Sequence, residues 1–114
     1  MKLDPGSTSM QTPLNLNAEL EKLHEYWKPQ VFSQGDFGFR LVKFAGDFEW
    51  HRHAGSDKII LVVSGEMGVR FDDGRPEVRI RAGELFVLPK GVRHQPHAER
   101  ECGIVLIERA GLGD

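Results

Sequence analysis

Three histidines carry the most legible chemistry in this chain. His51 and His53 stand one residue apart in GDFEWHRHAG, and His94 follows in GELFVLPKGVRH. On an extended strand alternate side chains share a face, so the first two imidazoles are expected to point the same way, about 6–7 Å apart at the backbone. A neutral imidazole offers one nitrogen lone pair. Three of them converging can hold Zn2+, Ni2+, Cu2+ or Fe2+, with water or a ligand filling the remaining positions. Glu49 lies two residues before His51, so the same alternation puts its carboxylate on the histidine face. Lys58 follows shortly after. Its ammonium has no lone pair to donate and repels a cation. A lone buried charge is costly, so either Glu49 and Lys58 both face the pocket and pair with each other, or Lys58 snorkels out at the barrel mouth and Glu49 is solvated near the rim.

The elements that must position these residues are short. Leu16, Leu20, Leu23 and Trp27 recur at helical spacing over residues 15–27, with Asn15 or Asn17 as the cap and Pro29 as the stop. His24 reads as a surface residue of that helix. After Pro29 the helical period disappears. The runs VFS, FGFRLVKFA, FEWHRH, KIILVVSG, MGVRF, EVRI, ELFVLP and CGIVLIE are rich in β-formers and separated by Gly- and Asp-containing turns. That pattern predicts a β-sandwich or small barrel. Asp72-Asp73-Gly74 marks a hairpin turn. Phe48 and Trp50 alternate with the histidines and are expected to face away from them. His97, three residues beyond His94, is expected on the surface. Asp57 reads as a turn residue, and Cys102 as a buried structural thiol. Residues 1–13 lack periodicity and read as a flexible N-terminal arm, with a single domain over 14–112.

Composition narrows the function classes. The formal charge of −2 and the scattered basic residues make no electrostatic case for nucleic acid. One cysteine allows no internal disulfide. No apolar run reaches the roughly 18 residues of a membrane span, and MKLDPGSTSM lacks a signal core. Cytoplasm is the expected location. No phosphate loop and no Ser-His-Asp spacing is present, so no catalytic residue is assigned.

The two histidine stretches resemble the paired motifs of the cupin superfamily. In the first stretch Gly46 precedes His51 by one residue fewer than the motif has, while His53, position 58 and Gly65 keep its spacing. In the second, Gly83, Pro89, Gly91 and His94 match without a gap, and Ala98 stands in place of the motif's Asn. The helix ending in WKP and the ending LIERAG are similar to small single-domain cupins of the mannose-6-phosphate isomerase-like kind. The resemblance covers roughly residues 14–112. It implies an all-β fold, a small antiparallel jelly-roll barrel with one short N-terminal helix, often paired into a homodimer. It also implies a divalent metal (Fe, Mn, Ni or Zn) on His51, His53 and His94, with Lys58 at the position of the usual Glu ligand. Two functions follow as expectations. One is a metal-dependent enzyme acting on a small molecule. The other is a metal-free pocket that binds a small ligand, for instance an anion.

Overall fold

In the computed structural model, which describes residues 7–9 and 12–109, the chain runs β1 (Ser7–Ser9), α1 (Leu16–Glu21), β2 (Gln30–Gln34), β3 (Phe37–Asp47), β4 (Lys58–Ser64), β5 (Glu66–Phe71), β6 (Val78–Arg81), β7 (Leu85–Leu88) and β8 (His94–Arg109). The alternation of large apolar side chains in FGFRLVKFA and KIILVVS does what period-2 patterns do, giving each strand one inward and one outward face. Val42, Phe44, Ile60, Val62, Met67, Val69 and Ile104 point inward and form the main core. Leu41 and Val105 point outward. There Leu20 of α1 and Phe32 of β2 cover them in a second cluster. Burying a leucine of this kind stabilises the fold by about 1.5–3 kcal/mol.

The sixteen-residue β8 joins the two halves of the barrel. Its C-terminal part lies between β3 and β4, with Leu41 and Leu61 both opposite Val105. Its N-terminal part pairs with β5, Phe71 opposite His94 and Gly68 opposite His97. β7 extends the first sheet beside β4, and β6 extends the second beside β5. Among the described residues every strand pairing is antiparallel except β1 with β2. This is the jelly-roll barrel with one short helix that the cupin resemblance implies. Ser7–Ser9, within the expected arm, pairs with Val31–Ser33. Residues 1–6, 10–11 and 110–114 lie outside the described residues.

Three elements differ from expectation. The helix stops at Glu21 instead of reaching Trp27. Asn15 caps it as predicted, accepting from Ala18 N at 2.9 Å. Leu16, Leu20 and Leu23 belong to the outer cluster, whereas Trp27 packs on the inner core. One straight helix cannot serve both, so the chain turns. Trp27 takes a φ of 64°, a left-handed conformation that costs a non-glycine residue about 1–2 kcal/mol. A tilted contact with Phe44 and stacking on Phe48, at centroid distances of 4.5 and 4.8 Å, offset that cost. The second difference is β8, which begins at His94, eight residues before the apolar run that announces it. The third is FEWHRH, which forms no strand; only His51 makes an isolated bridge, to His94.

His97 is buried, not on the surface. Its Nε2 lies 2.9 Å from Glu77 Oε1, and Gly68 opposite it makes the room. A Cβ on Gly68 would stand 2.3 Å from His97 Nε2 and 2.8 Å from Glu77 Oε2. The His97 ring and the Glu77 carboxylate, which are bonded to each other, must shift to make room. Gly68→Ala is therefore expected to destabilise the protein by about 1–3 kcal/mol, read as a lower urea midpoint with unchanged slope. A change under about 0.5 kcal/mol would show that the ring moves aside freely.

Candidate metal centre

Backbone pairing, not strand alternation, assembles the three imidazoles. His51 N donates to His94 O at 2.9 Å, and His94 N donates back to His51 O at 2.8 Å. Two candidate ligands far apart in sequence are thus locked opposite each other. Gly91 N donates to His53 O at 2.7 Å, from a φ of 79° that glycine adopts without strain. Phe48 N donates to Pro96 O at 2.9 Å and Gln95 Nε2 to Phe48 O at 3.0 Å, which hold the irregular segment 48–53 against β8.

The nitrogens are set up to receive a cation. Nδ1 of His51 faces Glu49 O, and Nδ1 of His94 faces Val92 O, each at 2.9 Å. A carbonyl oxygen only accepts, so each Nδ1 carries the proton and each Nε2 keeps its lone pair. Metal-binding histidines characteristically have their tautomer fixed in this way. His51 Nε2 and His53 Nε2 are 3.2 Å apart. Two nitrogens bound about 2.0–2.1 Å from one ion, at about 90–110°, stand about 2.9–3.4 Å apart. One ligand atom from each of the three residues lies within 4.8 Å of the others, so small ring rotations close the set. Burial pushes the His94 imidazole below its usual range, and the approach of His51 adds to this; both outweigh the hydrogen bond to Val92. The neutral, ligating form is thereby favoured. The donor set fits a divalent transition metal.

The rings border a cavity of about 190 Å3 whose walls are mainly apolar, including Val42, Phe44, Ile60 and Leu106. Arg40 also lines it, but neither Glu49 nor Lys58 does. Glu49 is exposed, and what it offers the site is its backbone carbonyl. Residues 48–50 leave strand geometry, so alternation no longer directs its side chain inward. Lys58 is buried, on the inward face of β4 with Ile60, but its Nζ pairs with Glu108. The expected Glu49–Lys58 pair is therefore corrected to Lys58–Glu108. For the same reason Phe48 does not face away from the histidines. It meets His51 edge-on at 5.2 Å and lines the cavity. Trp50 does lie apart, beneath Arg93 at 5.3 Å. Asp57, read from the sequence as a turn residue, lies just before β4 and accepts from Lys90 N at 2.8 Å, across from another loop. Burial pushes the Cys102 thiol up to about 12, so it is a packed, unreactive group.

Arg40 and Glu108 were not singled out from the sequence. The signal was present: both stand on the inward parity of their strands, Arg40 with Val42 and Phe44, Glu108 with Ile104 and Leu106. A charge at an otherwise apolar inward position needs a partner.

Comparison with known proteins places this geometry. A crystal structure of protein NMB1881 from Neisseria meningitidis superposes with a TM-score of 0.82 at 43% identity, covering 87% of this chain and 100% of that one. A cupin-2 domain containing protein from Shewanella frigidimarina gives 0.78 at 38% identity, over 84% and 93%. Among curated proteins, the 3-hydroxyanthranilate 3,4-dioxygenase of Xanthomonas oryzae pv. oryzae is 37% identical over 109 residues, 88% of this chain. The chain spans 60% of that enzyme's length. Among the described residues no helix is long and apolar enough to cross a membrane. The cupin domain family matches residues 40–107, the stretch that holds all three histidines and the strands that enclose them, and the chain belongs to that family.

Proposed function

We propose that this protein holds one divalent transition-metal ion on His51, His53 and His94 and carries out metal-dependent chemistry on a small molecule in the adjoining cavity. The observation that carries this reading is the convergence of the three imidazoles, two of them with tautomers already fixed by backbone carbonyls. When bound, the ion supplies a Lewis acid or, as Fe2+, a centre for dioxygen chemistry. The chain's own groups do the rest. Three protein ligands leave coordination positions for a substrate. Trp27 and Phe48 stack beside the cavity and limit water. Three neutral donors suit Fe2+, Ni2+ or Zn2+ better than Mn2+, which favours oxygen ligands.

The relatives named 3-hydroxyanthranilate 3,4-dioxygenase support an oxidative reaction class. Because the chain spans 60% of their length, only the class is carried over, not their substrate. A second reading, a metal-free ligand-binding pocket, draws support from Lys58, a cation where the usual carboxylate ligand would stand. Calorimetric titration of chelator-stripped protein with Ni2+, Zn2+ and, without oxygen, Fe2+ separates the two. The metal reading expects one ion per chain with a Kd of about 1 μM or tighter for at least one ion. Binding weaker than about 1 mM for all three ends it and leaves the pocket reading.

A further inference from the structure

One charged group lines the cavity that metal ligation does not use. Arg40 donates through Nε to Glu108 Oε1 at 2.7 Å. Glu108 gives its other oxygen, Oε2, to Lys58. Burial alone would raise the Glu108 carboxyl, but its bonds to Lys58 and Arg40 outweigh this and hold it below its usual range, so it is ionised. One carboxylate thus bonds both Arg40 and Lys58. Lys58 is 3% exposed and does not line the cavity. Arg40 is 45% exposed and on the wall itself. Among the described residues its guanidinium has no acceptor other than Glu108, so both Nη groups can serve a ligand.

We propose that the cavity binds a small apolar monocarboxylic acid, with its carboxylate on Arg40 and its apolar body directed toward the three imidazoles. The inference rests on the reading of this cavity as the ligand site of the proposed metal centre. Three features select the class. A guanidinium presents paired N–H donors that match a carboxylate's two oxygens. Among the described residues the cavity wall presents a single guanidinium, that of Arg40, whose one positive charge matches a monoanion better than a phosphate dianion. The walls between Arg40 and the histidines are Val42, Phe44, Ile104 and Leu106. They offer nothing to the several hydroxyls of a sugar, which would each lose water without a partner. At about 190 Å3 the cavity is also smaller than the roughly 300–1,000 Å3 typical of drug-sized ligands, so the body is about one ring or a short branched chain.

Calorimetry with benzoate and benzamide tests this, on metal-free and on Zn2+-treated protein. The two probes share a shape and differ in charge. Metal-free protein is expected to bind benzoate at least about tenfold more tightly than benzamide. Arg40→Gln should remove most of that preference, and Arg40→Lys should restore part of it by returning the charge without the paired donors. Zn2+ affinity should stay within about threefold in both variants, because neither touches an imidazole. Lys58 and Glu108 remain paired in each, and circular dichroism should show the native spectrum. Equal binding of the two probes by the unmodified protein overturns the proposal, as does a benzoate preference that survives Arg40→Gln. The outcomes separate the two readings. A benzoate preference without Zn2+ uptake sinks the metal centre and keeps the anion site. Zn2+ uptake without a benzoate preference does the reverse.

Discussion

His51→Ala is expected to weaken metal binding by at least about 100-fold, while Glu49→Ala leaves it within about twofold. Removing a group that merely orients a ligand already costs about 10–100-fold in metal affinity, and loss of a ligand itself should exceed that. His51 is also central to the cluster: its Nε2 lies 3.2 Å from that of His53, and its ring centroid 4.3 Å from that of His94. Without it two imidazoles remain, 5.2 Å apart at their centroids, and two donors do not make a tetrahedral site. The backbone bridge between residues 51 and 94 does not involve the side chain, so the barrel should still form. Glu49 serves as the contrast because it orients His51 through its carbonyl, which the alanine variant retains. Titration of both variants with Zn2+ or Ni2+ checks this. Unchanged affinity in His51→Ala would place the metal elsewhere. A large loss in Glu49→Ala would bring its exposed carboxylate into the site after all.

That contrast also marks where the sequence stops being informative. The β3 and β4 runs alternate cleanly, and two sheets with one interior follow from such patterns. The His51, His53 and His94 cluster is legible too, because the turn around Gly91 and the histidine spacing repeat a known motif. The side-chain directions of residues 48–50 are not legible. Alternation governs only chain that stays in a ladder, and here β3 ends at Asp47. Phe48 and Glu49 therefore exchange their expected sides. The spacing of Trp27 fits a helix, but spacing carries no information about which of two apolar clusters a residue joins. The burial of His97 is not legible either, because its partners Gly68 and Glu77 come together with it only through the β5–β8 pairing. Lys58 shows the same limit over a longer span. Burial of that lysine demanded a carboxylate, but nothing local distinguished Glu49 from Glu108, fifty residues further on.

Glu108→Ala is expected to destabilise the protein by about 3–5 kcal/mol, the usual consequence of breaking a buried ion pair from one side. Lys58 is 3% exposed, and this carboxylate is the partner that its Nζ loses in the variant. Arg40, 45% exposed, can turn to water instead, so the loss should come mainly through Lys58. Replacing both members, as Lys58→Met with Glu108→Leu, should recover at least half of it, since an apolar pair of similar volume often substitutes for a buried ion pair at little cost. The pH dependence has a definite sign. The Glu108 carboxyl titrates below its usual value, so its contribution is complete above about pH 4.3 and disappears as pH falls through the lower, folded value. Urea denaturation of the unmodified protein should accordingly show stability falling below that pH. In the double variant this part of the fall should be absent. A loss under about 1 kcal/mol in Glu108→Ala would mean that Lys58 reaches other acceptors or water. The ion pair would then contribute little to the fold, although its lysine would still fill the position of the missing carboxylate ligand.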